Sequence, residues 1–114
     1  TDSPMRFLVS EIIREKLLMY LEQEVPHGVM VEIEEYEEAD GITNIHAVIV
    51  CEKNRHKSII IGKGGRKIKG IGKAARVEIE ELVGTKVFLK LWVKVKENWR
   101  DSNAMIKNFG YKDE

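Results

Sequence analysis

The alternation of apolar and polar side chains predicts three β-strands. Residues 29–34 alternate, with apolar positions on one face and glutamates on the other, which is the period of a half-buried strand. Asp40-Gly41 is a signal for chain reversal, and a second strand is predicted from Ile42 to Glu52. Both faces of this second strand are largely apolar, which indicates the central strand of a sheet. Residues 86–96 alternate again and predict the third strand.

Two longer segments have the three- and four-residue spacing of amphipathic helices. The first begins at Pro4, behind an N-cap at Ser3, and ends near Val25-Pro26. Its predicted core-facing residues are Val9, Ile12, Ile13, Leu17, Tyr20 and Leu21. The second runs from Arg66 to Val83, and Gly84 is placed as the residue that ends it. Its predicted core-facing residues are Ile68, Ile71, Ala75, Ile79 and Leu82. A short last helix is predicted at residues 101–108, closed by Gly110.

A glycine-rich turn lies between the second strand and the second long helix. Three isoleucines at residues 59–61 lead into Gly62-Lys63-Gly64-Gly65. On propensity alone the isoleucines favour a strand. Glycines three residues apart let the backbone turn tightly and let another chain approach it without a Cβ in the way. With a helix beginning at Arg66, the turn also presents unpaired N–H groups and the positive end of a helix dipole, which suit a phosphate.

Two further glycines, Gly70 and Gly72, lie in the first turns of that helix. Each costs about 1 kcal/mol relative to alanine in a helix interior. Their presence indicates that something approaches the helix closely there, either another helix or RNA.

The net charge of zero conceals a strong separation of charge along the chain. Residues 31–52 contain seven acids and no base, whereas residues 53–76 contain nine Lys or Arg and no acid. A neutral chain with separated signs can bind an anion through one face. The acidic first strand is interpreted as a solvated face, with repulsion of RNA from the wrong side as the alternative. The basic run, by contrast, indicates a clamp for a nucleic-acid backbone.

Composition places the chain among single-domain globular proteins. At 114 residues, 43% apolar and 33% charged, it is long enough for one modest core. The lone Cys51 cannot form an internal disulfide, which favours a reducing cytosol, and its apolar surroundings indicate a buried small hydrophobe. The chain starts at Thr1 without a signal-peptide pattern, so we expect it to be a piece of a longer protein.

Several chemical functions lack the residues that they need. The segment Gly70 to Ala75 matches G-x-G-x-x-A but lies inside a helical pattern rather than after a strand, and no Walker sequence occurs. The three histidines have no metal-ligand spacing. No nucleophile is paired with a base and an orienting group. The sequence therefore predicts neither a metal, nor a cofactor, nor catalysis in this chain.

The run I-I-G-K-G-G-x-x-I, followed by an amphipathic helix and an alternating strand, resembles the signature of the KH fold. In that family the residues before the glycines form a short helix, so the resemblance replaces the strand prediction for Lys57 to Ile61. The helix and two strands that precede the signature match the type II order, αββααβ. The expected fold is therefore α+β, with a three-stranded sheet, helices on one of its faces and a short C-terminal helix.

Further segments resemble the C-terminal KH domain of the bacterial Era GTPase family. They are Ser10 to Lys16, Val31 to Glu34, Ile71-Gly72 with Ala75-Arg76, Leu89 to Lys96, Trp99, and Gly110-Tyr111. The resemblance implies an N-terminal GTPase domain outside this chain, with GTP and Mg²⁺ needed only there. It also implies binding to the single-stranded 3′ tail of small-subunit ribosomal RNA during assembly of the 30S subunit. The implied location is cytoplasmic, with peripheral association at the inner face of the cell membrane.

The residues assigned to RNA follow from this interpretation. Gly62, Lys63, Gly64 and Gly65 are expected to grip the sugar-phosphate backbone. The groove between the short helix, the following helix and the second strand would take about four unpaired bases. Its apolar floor is assigned to Ile60, Ile61 and Ile68, with packing in the core as the alternative for each. Attraction of phosphates is assigned to Lys57, Arg66, Lys67, Lys69 and Lys73.

Three alternatives stay open from the residues. Trp92 and Trp99 have rings able to stack on bases, but Trp92 is interpreted as packing against Phe88 on the sheet. The second alternative is that the chain is the KH domain of a different protein, one that binds another RNA or single-stranded DNA. The last alternative is a protein-interaction or regulatory domain of the GTPase.

Overall fold

The computed structural model describes residues 2–21 and 28–97. The helices are α1 (Asp2–Leu21), α2 (Asn54–Ile61) and α3 (Arg66–Val83), and the strands are β1 (Val29–Ala39), β2 (Ile42–Cys51) and β3 (Lys86–Val95). One turn of 3₁₀ helix at Lys63–Gly65 joins α2 to α3. The predicted helix at residues 101–108, Trp99 and the end of the first helix near Val25 lie outside the described residues. Within the described ranges, no helix is long and apolar enough to cross a bilayer.

The three strands form one mixed sheet in the order β1-β2-β3. β1 and β2 are antiparallel and join through Asp40-Gly41, where both residues have positive φ, 26° and 81°. β2 and β3 are parallel. Because β2 pairs with both other strands, it is the central strand, as its two apolar faces predicted. β1 is longer than predicted because pairing with β2 continues to Ala39, past an irregularity between Ile33 and Glu35.

All three helices pack on one face of the sheet, as expected for the α+β class. The fully buried side chains on that face include Val9, Ile13, Leu17 and Leu21 of α1, Ile45, Ala47, Ile49 and Cys51 of β2, and Ile71, Ala75 and Ile79 of α3. Burial raises the pKa of the Cys51 thiol, so this cysteine is a small core hydrophobe, as predicted. Three predictions were wrong in detail. Tyr20 and Leu82 are 40% and 39% exposed, and the first helix already includes Asp2, so Pro4 lies within its first turn.

Tyr20 explains one of the two glycines in α3. A Cβ on Gly70 would lie 2.8 Å from Cε2 of Tyr20, so α1 is the element that approaches the helix there. A Cβ on Gly72 would meet Cδ1 of Leu91 at an ordinary 3.5 Å. At Gly70 the absent side chain therefore makes room for a helix rather than for RNA.

The outer edge of β1 is covered by two arginines from α1. Arg6 and Arg14 each donate a hydrogen bond of 2.8 Å, to the carbonyl oxygens of Ile33 and Val29. Edge strands present unpaired backbone groups that proteins commonly cover. At the other end of the sheet, the edge of β3 has no neighbouring strand within the part of the chain that the structure describes. Among the described residues, the edge of β3 thus has no such arginine or strand across it.

The sheet face opposite the helices carries a second, smaller apolar cluster of Met30, Val48 and Val50. Glu32 lies beside this cluster, paired in register with Val48. Burial raises the pKa of Glu32, the nearby charge of Glu34 raises it further, and Lys94 opposes the shift. The folded state thus disfavours the ionised form of this carboxyl group.

We expect Glu32→Gln to raise the thermal midpoint slightly at pH 7. A carboxyl group whose pKa is raised by folding destabilises the folded state while it is ionised, and this cost disappears as pH falls through the raised pKa. The gain should therefore vanish in acid, where Glu32 is protonated. Thermal unfolding of both chains from pH 3 to pH 7 measures this, with the exposed Glu38→Gln as the control. An equal gain for Glu32→Gln at every pH would contradict the assignment to charge.

Candidate nucleic-acid interface

The short helix α2 occupies the segment whose propensity favours a strand. Residues 54–61 are helical, which confirms the prediction made from the KH resemblance. β1 begins at Val29, which pairs with Cys51 at the end of β2, so among the described residues β1 does not extend far enough to pair with residues 58–61. As a helix the segment instead places Ile60 in the core, fully buried, with Ile59 packed against it. Tertiary packing therefore outweighs the preference of β-branched residues for strands.

The turn that follows α2 is held by its first and last glycines. The Gly62 N–H donates to the Ser58 carbonyl at 2.9 Å, and the Gly65 N–H donates to the Gly62 carbonyl at 3.1 Å. Gly62 has φ 76° and ψ 173°, a combination that is essentially restricted to glycine. A Cβ on Gly62 would also lie 2.8 Å from Cβ of Lys67. The fold itself therefore requires glycine at the start of the turn.

The other two glycines give the turn an open outer surface. Gly64 and Gly65 have φ of 64° and 77°, and an added Cβ at either position would have no atom within 4 Å. Lys63 and Gly64 are exposed. Gly64, the additional glycine between the first and last glycines of the turn, thus leaves this surface bare of side chains rather than filling a packing gap.

Two backbone donors remain available at the tip of the turn. The amides of Gly62, Gly65 and Arg66 bind carbonyl oxygens of the fold. For the amides of Lys63 and Gly64, the structure shows no acceptor among the residues that it describes. These two groups stand just ahead of the amino end of α3, where the helix dipole favours negative charge. Such an arrangement can donate hydrogen bonds to one phosphate oxygen or more.

The basic residues surround the turn and continue along α3. Lys63, Arg66, Lys69 and Lys73 are exposed, whereas Lys57 and Lys67 are half-buried. None of the four exposed cations forms an ion pair with a described residue. Farther along α3, Arg76 is 3.4 Å from a carboxylate oxygen of Glu80. The charges of Lys63, Arg66, Lys69 and Lys73 therefore have no acidic partner among the described residues, while the charge of Arg76 is partly neutralised.

The structure corrects the strand assigned to the groove. β2 has β1 on one side and β3 on the other, so its backbone groups are used within the sheet. The helices α2 and α3 both contact β3, and the side chain of Leu91 reaches the backbone of α3 at Gly72. The prediction that β2 borders the groove was wrong, because β3 pairs with the edge of β2 that would otherwise face the groove. The strand whose edge can border a groove formed by α2, the turn and α3 is therefore β3.

The apolar floor also changes. Ile60 has 0% exposure, so its assignment to the RNA surface was wrong: its side chain stabilises the fold and offers nothing to a ligand. Ile61 and Ile68 are half-exposed and remain candidates. Sequence reasoning missed the helix-facing row of β3, of which Leu91 and Val93 are half-exposed. Their alternation was visible in the sequence, but their position beside the groove depends on the strand order.

Comparisons with known proteins agree with this architecture. A sequence model of the KH domain matches residues 24–100. GTPase Era of Alkaliphilus metalliredigens is 58% identical over 113 residues, which cover 97% of this chain and 38% of that protein. GTPase Era of Clostridioides difficile is 57% identical over 115 residues, which cover 99% of this chain and 39% of that protein.

Two solved structures of Era are similar over 99% of this chain and 38% of theirs, each with 41% identity. One is a variant of Aquifex aeolicus Era bound to GDP and AlF₄⁻, with a TM-score of 0.88. The other is Era in complex with MgGDPNP and nucleotides 1506–1542 of 16S ribosomal RNA, with a TM-score of 0.89.

The chain spans less than two-fifths of the length of these relatives. The matched part is their KH region and not their GTPase domain, so the 114 residues are not themselves the catalyst of GTP hydrolysis. The order of the described helices and strands, αββααβ, is the order expected for a type II KH domain. The chain therefore belongs to the KH domain family, in the form found at the C-terminal end of the bacterial Era GTPases.

Proposed function

We propose that this chain binds single-stranded RNA through the turn at residues 62–65 and the groove beside β3. The observation that carries the proposal is the exposed tip of the turn, which has no side chain at Gly64 and two amides without an acceptor among the described residues. Cations flank this tip, and residues 53–76 contain no acid. A bare backbone corner surrounded by positive charge suits a chain of phosphates.

In this proposal each part of the site binds a different part of the nucleotide. The amides of Lys63 and Gly64 hold phosphate oxygens, and the side chains of Lys57, Arg66, Lys67, Lys69 and Lys73 attract the backbone. About four unpaired bases lie in the groove. Ile61, Ile68 and Leu91 give it an apolar floor. The backbone of the β3 edge can then bond the edges of bases, a role that β2 cannot fill.

The RNA that we propose is the 3′ end of small-subunit ribosomal RNA. A solved Era structure with 41% identity to this chain contains nucleotides 1506–1542 of 16S ribosomal RNA, which supports this choice. We further propose that residues 1–114 form one KH domain joined to an N-terminal GTPase domain that uses GTP and Mg²⁺. The proposed setting is assembly of the 30S subunit in the cytoplasm, with peripheral association at the inner face of the membrane.

Binding of a 3′-tail oligonucleotide should weaken steeply with salt. For single strands, the slope of log affinity against log salt is about −0.7 per phosphate contacted. Four contacts thus give a slope of about −3, so that a rise from 50 to 200 mM salt weakens binding roughly 50-fold. Fluorescence anisotropy with a labelled oligonucleotide at four salt concentrations measures the slope.

A scrambled oligonucleotide of equal length is the control for the identity of the RNA. Equal binding of both sequences would support RNA binding but contradict the ribosomal tail as the specific target. Absence of binding to either at 50 mM salt would contradict the proposed function and favour a protein-interaction or regulatory role.

A further inference from the structure

A concave site lies where the groove described above meets the edge of β3. It is a cavity of about 470 Å³ at the carboxyl end of β3. Its lining includes Trp92 and Lys94, which point to the sheet face opposite the helices, and Val93, which points to the helix side. A cavity lined by consecutive residues of one edge strand, whose side chains point to opposite faces, must wrap around that edge. It therefore connects the groove on the helix side with the opposite face of the sheet.

Trp92 gives this cavity a flat aromatic wall. Its ring lies against His46, with centroids 5.8 Å apart and planes at 58°, and not against Phe88 as the sequence suggested. The side chain is nevertheless 56% exposed. An aromatic side chain of this size usually stabilises a core when it is buried. Left exposed on a sheet, it can serve instead as a platform on which unpaired bases stack.

Two cations place the cavity on the path of the RNA. Lys57 belongs to α2 and lines the cavity together with Lys94. It precedes Gly62 by five residues, or about 7 Å along a helix axis. The cavity therefore lies toward the end of α2 that is farther from the turn, within reach of a nucleotide where the strand leaves the groove. Both lysines can neutralise the phosphate of that nucleotide.

One acid in the lining suggests which base is preferred. The carboxylate of Glu34 lies 3.7 Å from Nδ1 of His46 at the far side of the cavity. An ionised carboxylate can only accept hydrogen bonds. Cytosine, adenine and guanine carry an exocyclic amino group that can donate to it, whereas the only donor on the pairing edge of uracil, N3–H, stands between two carbonyl oxygens that a carboxylate repels. The acid therefore disfavours uracil.

We propose that this cavity binds one further base of the same RNA strand, stacked on Trp92 and selected against uracil by Glu34. The proposal rests on the proposed function, because the turn must hold the strand for its neighbour to reach the cavity. The competing occupant, an acidic peptide held by Lys57 and Lys94, is an outcome of the test.

The test compares three RNAs with three chains. The first RNA is a tetranucleotide that fills the groove at the turn, and the other two are the same RNA extended by two cytidines, one at its 5′ end and one at its 3′ end. We expect one of the extensions to tighten binding to the native chain roughly tenfold. Trp92→Ala should remove that gain and leave the affinity for the tetranucleotide unchanged. Phe88→Ala is the matched control, since Phe88 lies on the same strand and face and is 55% exposed, but does not line this cavity.

Three further measurements make the result decisive. Trp92→Phe should restore most of the gain because it keeps an aromatic face, and extension by uridines should give less gain than extension by cytidines. In a Trp99→Phe chain, the extended RNA should quench the fluorescence of Trp92 and the tetranucleotide should not. An equal effect of Trp92→Ala on the tetranucleotide and the extended RNA, no effect on either, or quenching by an acidic peptide alone would overturn the proposal. Failure of the native chain to bind even the tetranucleotide would instead contradict the proposed function.

Discussion

Replacing Lys63 and Gly64 together by aspartate is expected to abolish RNA binding, with a loss of affinity of at least about 100-fold. The change turns the charge of the exposed tip from +1 to −2, because Lys63 loses its cation and both positions gain a carboxylate. Like charges brought together at an interface cost several kcal/mol, and about 1.4 kcal/mol corresponds to a factor of ten. Anisotropy titration with the 3′-tail oligonucleotide measures the loss.

The control for this variant carries asparagine at both positions. Gly64 has φ 64° and ψ 20°, a left-handed conformation that strains any residue with a Cβ but that Asn and Asp tolerate better than most. The two double variants thus share their shape and backbone strain and differ in charge. Their thermal midpoints should agree closely, while the asparagine chain retains measurable affinity. Equal losses in both chains would show that shape rather than charge governs binding, and retained affinity in the aspartate chain would reject the clamp.

The elements with strong local signals were predictable from the sequence. The bounds of α3, Arg66–Val83, were predicted to the residue, because glycines flank the segment at both ends and its apolar residues keep a helical spacing. Gly84 ends the helix in the left-handed conformation, φ 80° and ψ 13°, and its N–H donates to the Glu80 carbonyl. The Asp40-Gly41 turn was equally clear. In each case the information lies within a few residues of the feature that it determines.

The short helix α2 was not predictable from its residues. Eight residues are too few for a stable isolated helix, and the three isoleucines favour a strand. The resemblance to the KH family supplied the correct assignment. The physical reason is visible only in the folded chain, where the described part of β1 ends at Val29 and Ile60 fills a position in the core.

The position of the groove also could not be predicted from the sequence. Alternation showed that Leu91 and Val93 share a face, but not that β3 lies parallel to β2 and next to the helices. That arrangement moved the groove from β2 to β3. The contact between Tyr20 and Gly70 was missed for a similar reason, because it joins residues of two helices 50 positions apart. Long-range contacts of this kind leave no local pattern.

The three glycines of the turn, Gly62, Gly64 and Gly65, could not be told apart in the sequence, and the structure separates their roles. Gly62→Ala is expected to lower the free energy of unfolding by about 3–5 kcal/mol. The backbone conformation of Gly62, φ 76° and ψ 173°, costs a residue with a side chain roughly 1–3 kcal/mol. The clash of the new Cβ with Lys67 adds an overpacking cost of similar size, since the atoms that it meets at 2.8 and 3.0 Å, Cβ and the backbone N of Lys67, cannot swing away.

Gly65→Ala is the matched control, because Gly65 has nearly the same φ, 77°, but no atom within 4 Å of an added Cβ. It should cost only the strain of the left-handed conformation, about 1–2 kcal/mol. Urea unfolding of the three chains, followed by circular dichroism, measures both losses. If the two alanine variants lose equal stability, the close contact between Gly62 and Lys67 has no energetic weight. If instead Gly62→Ala loses far more, the first glycine of the motif serves the fold, and the bare surface that we assign to RNA begins only at Lys63.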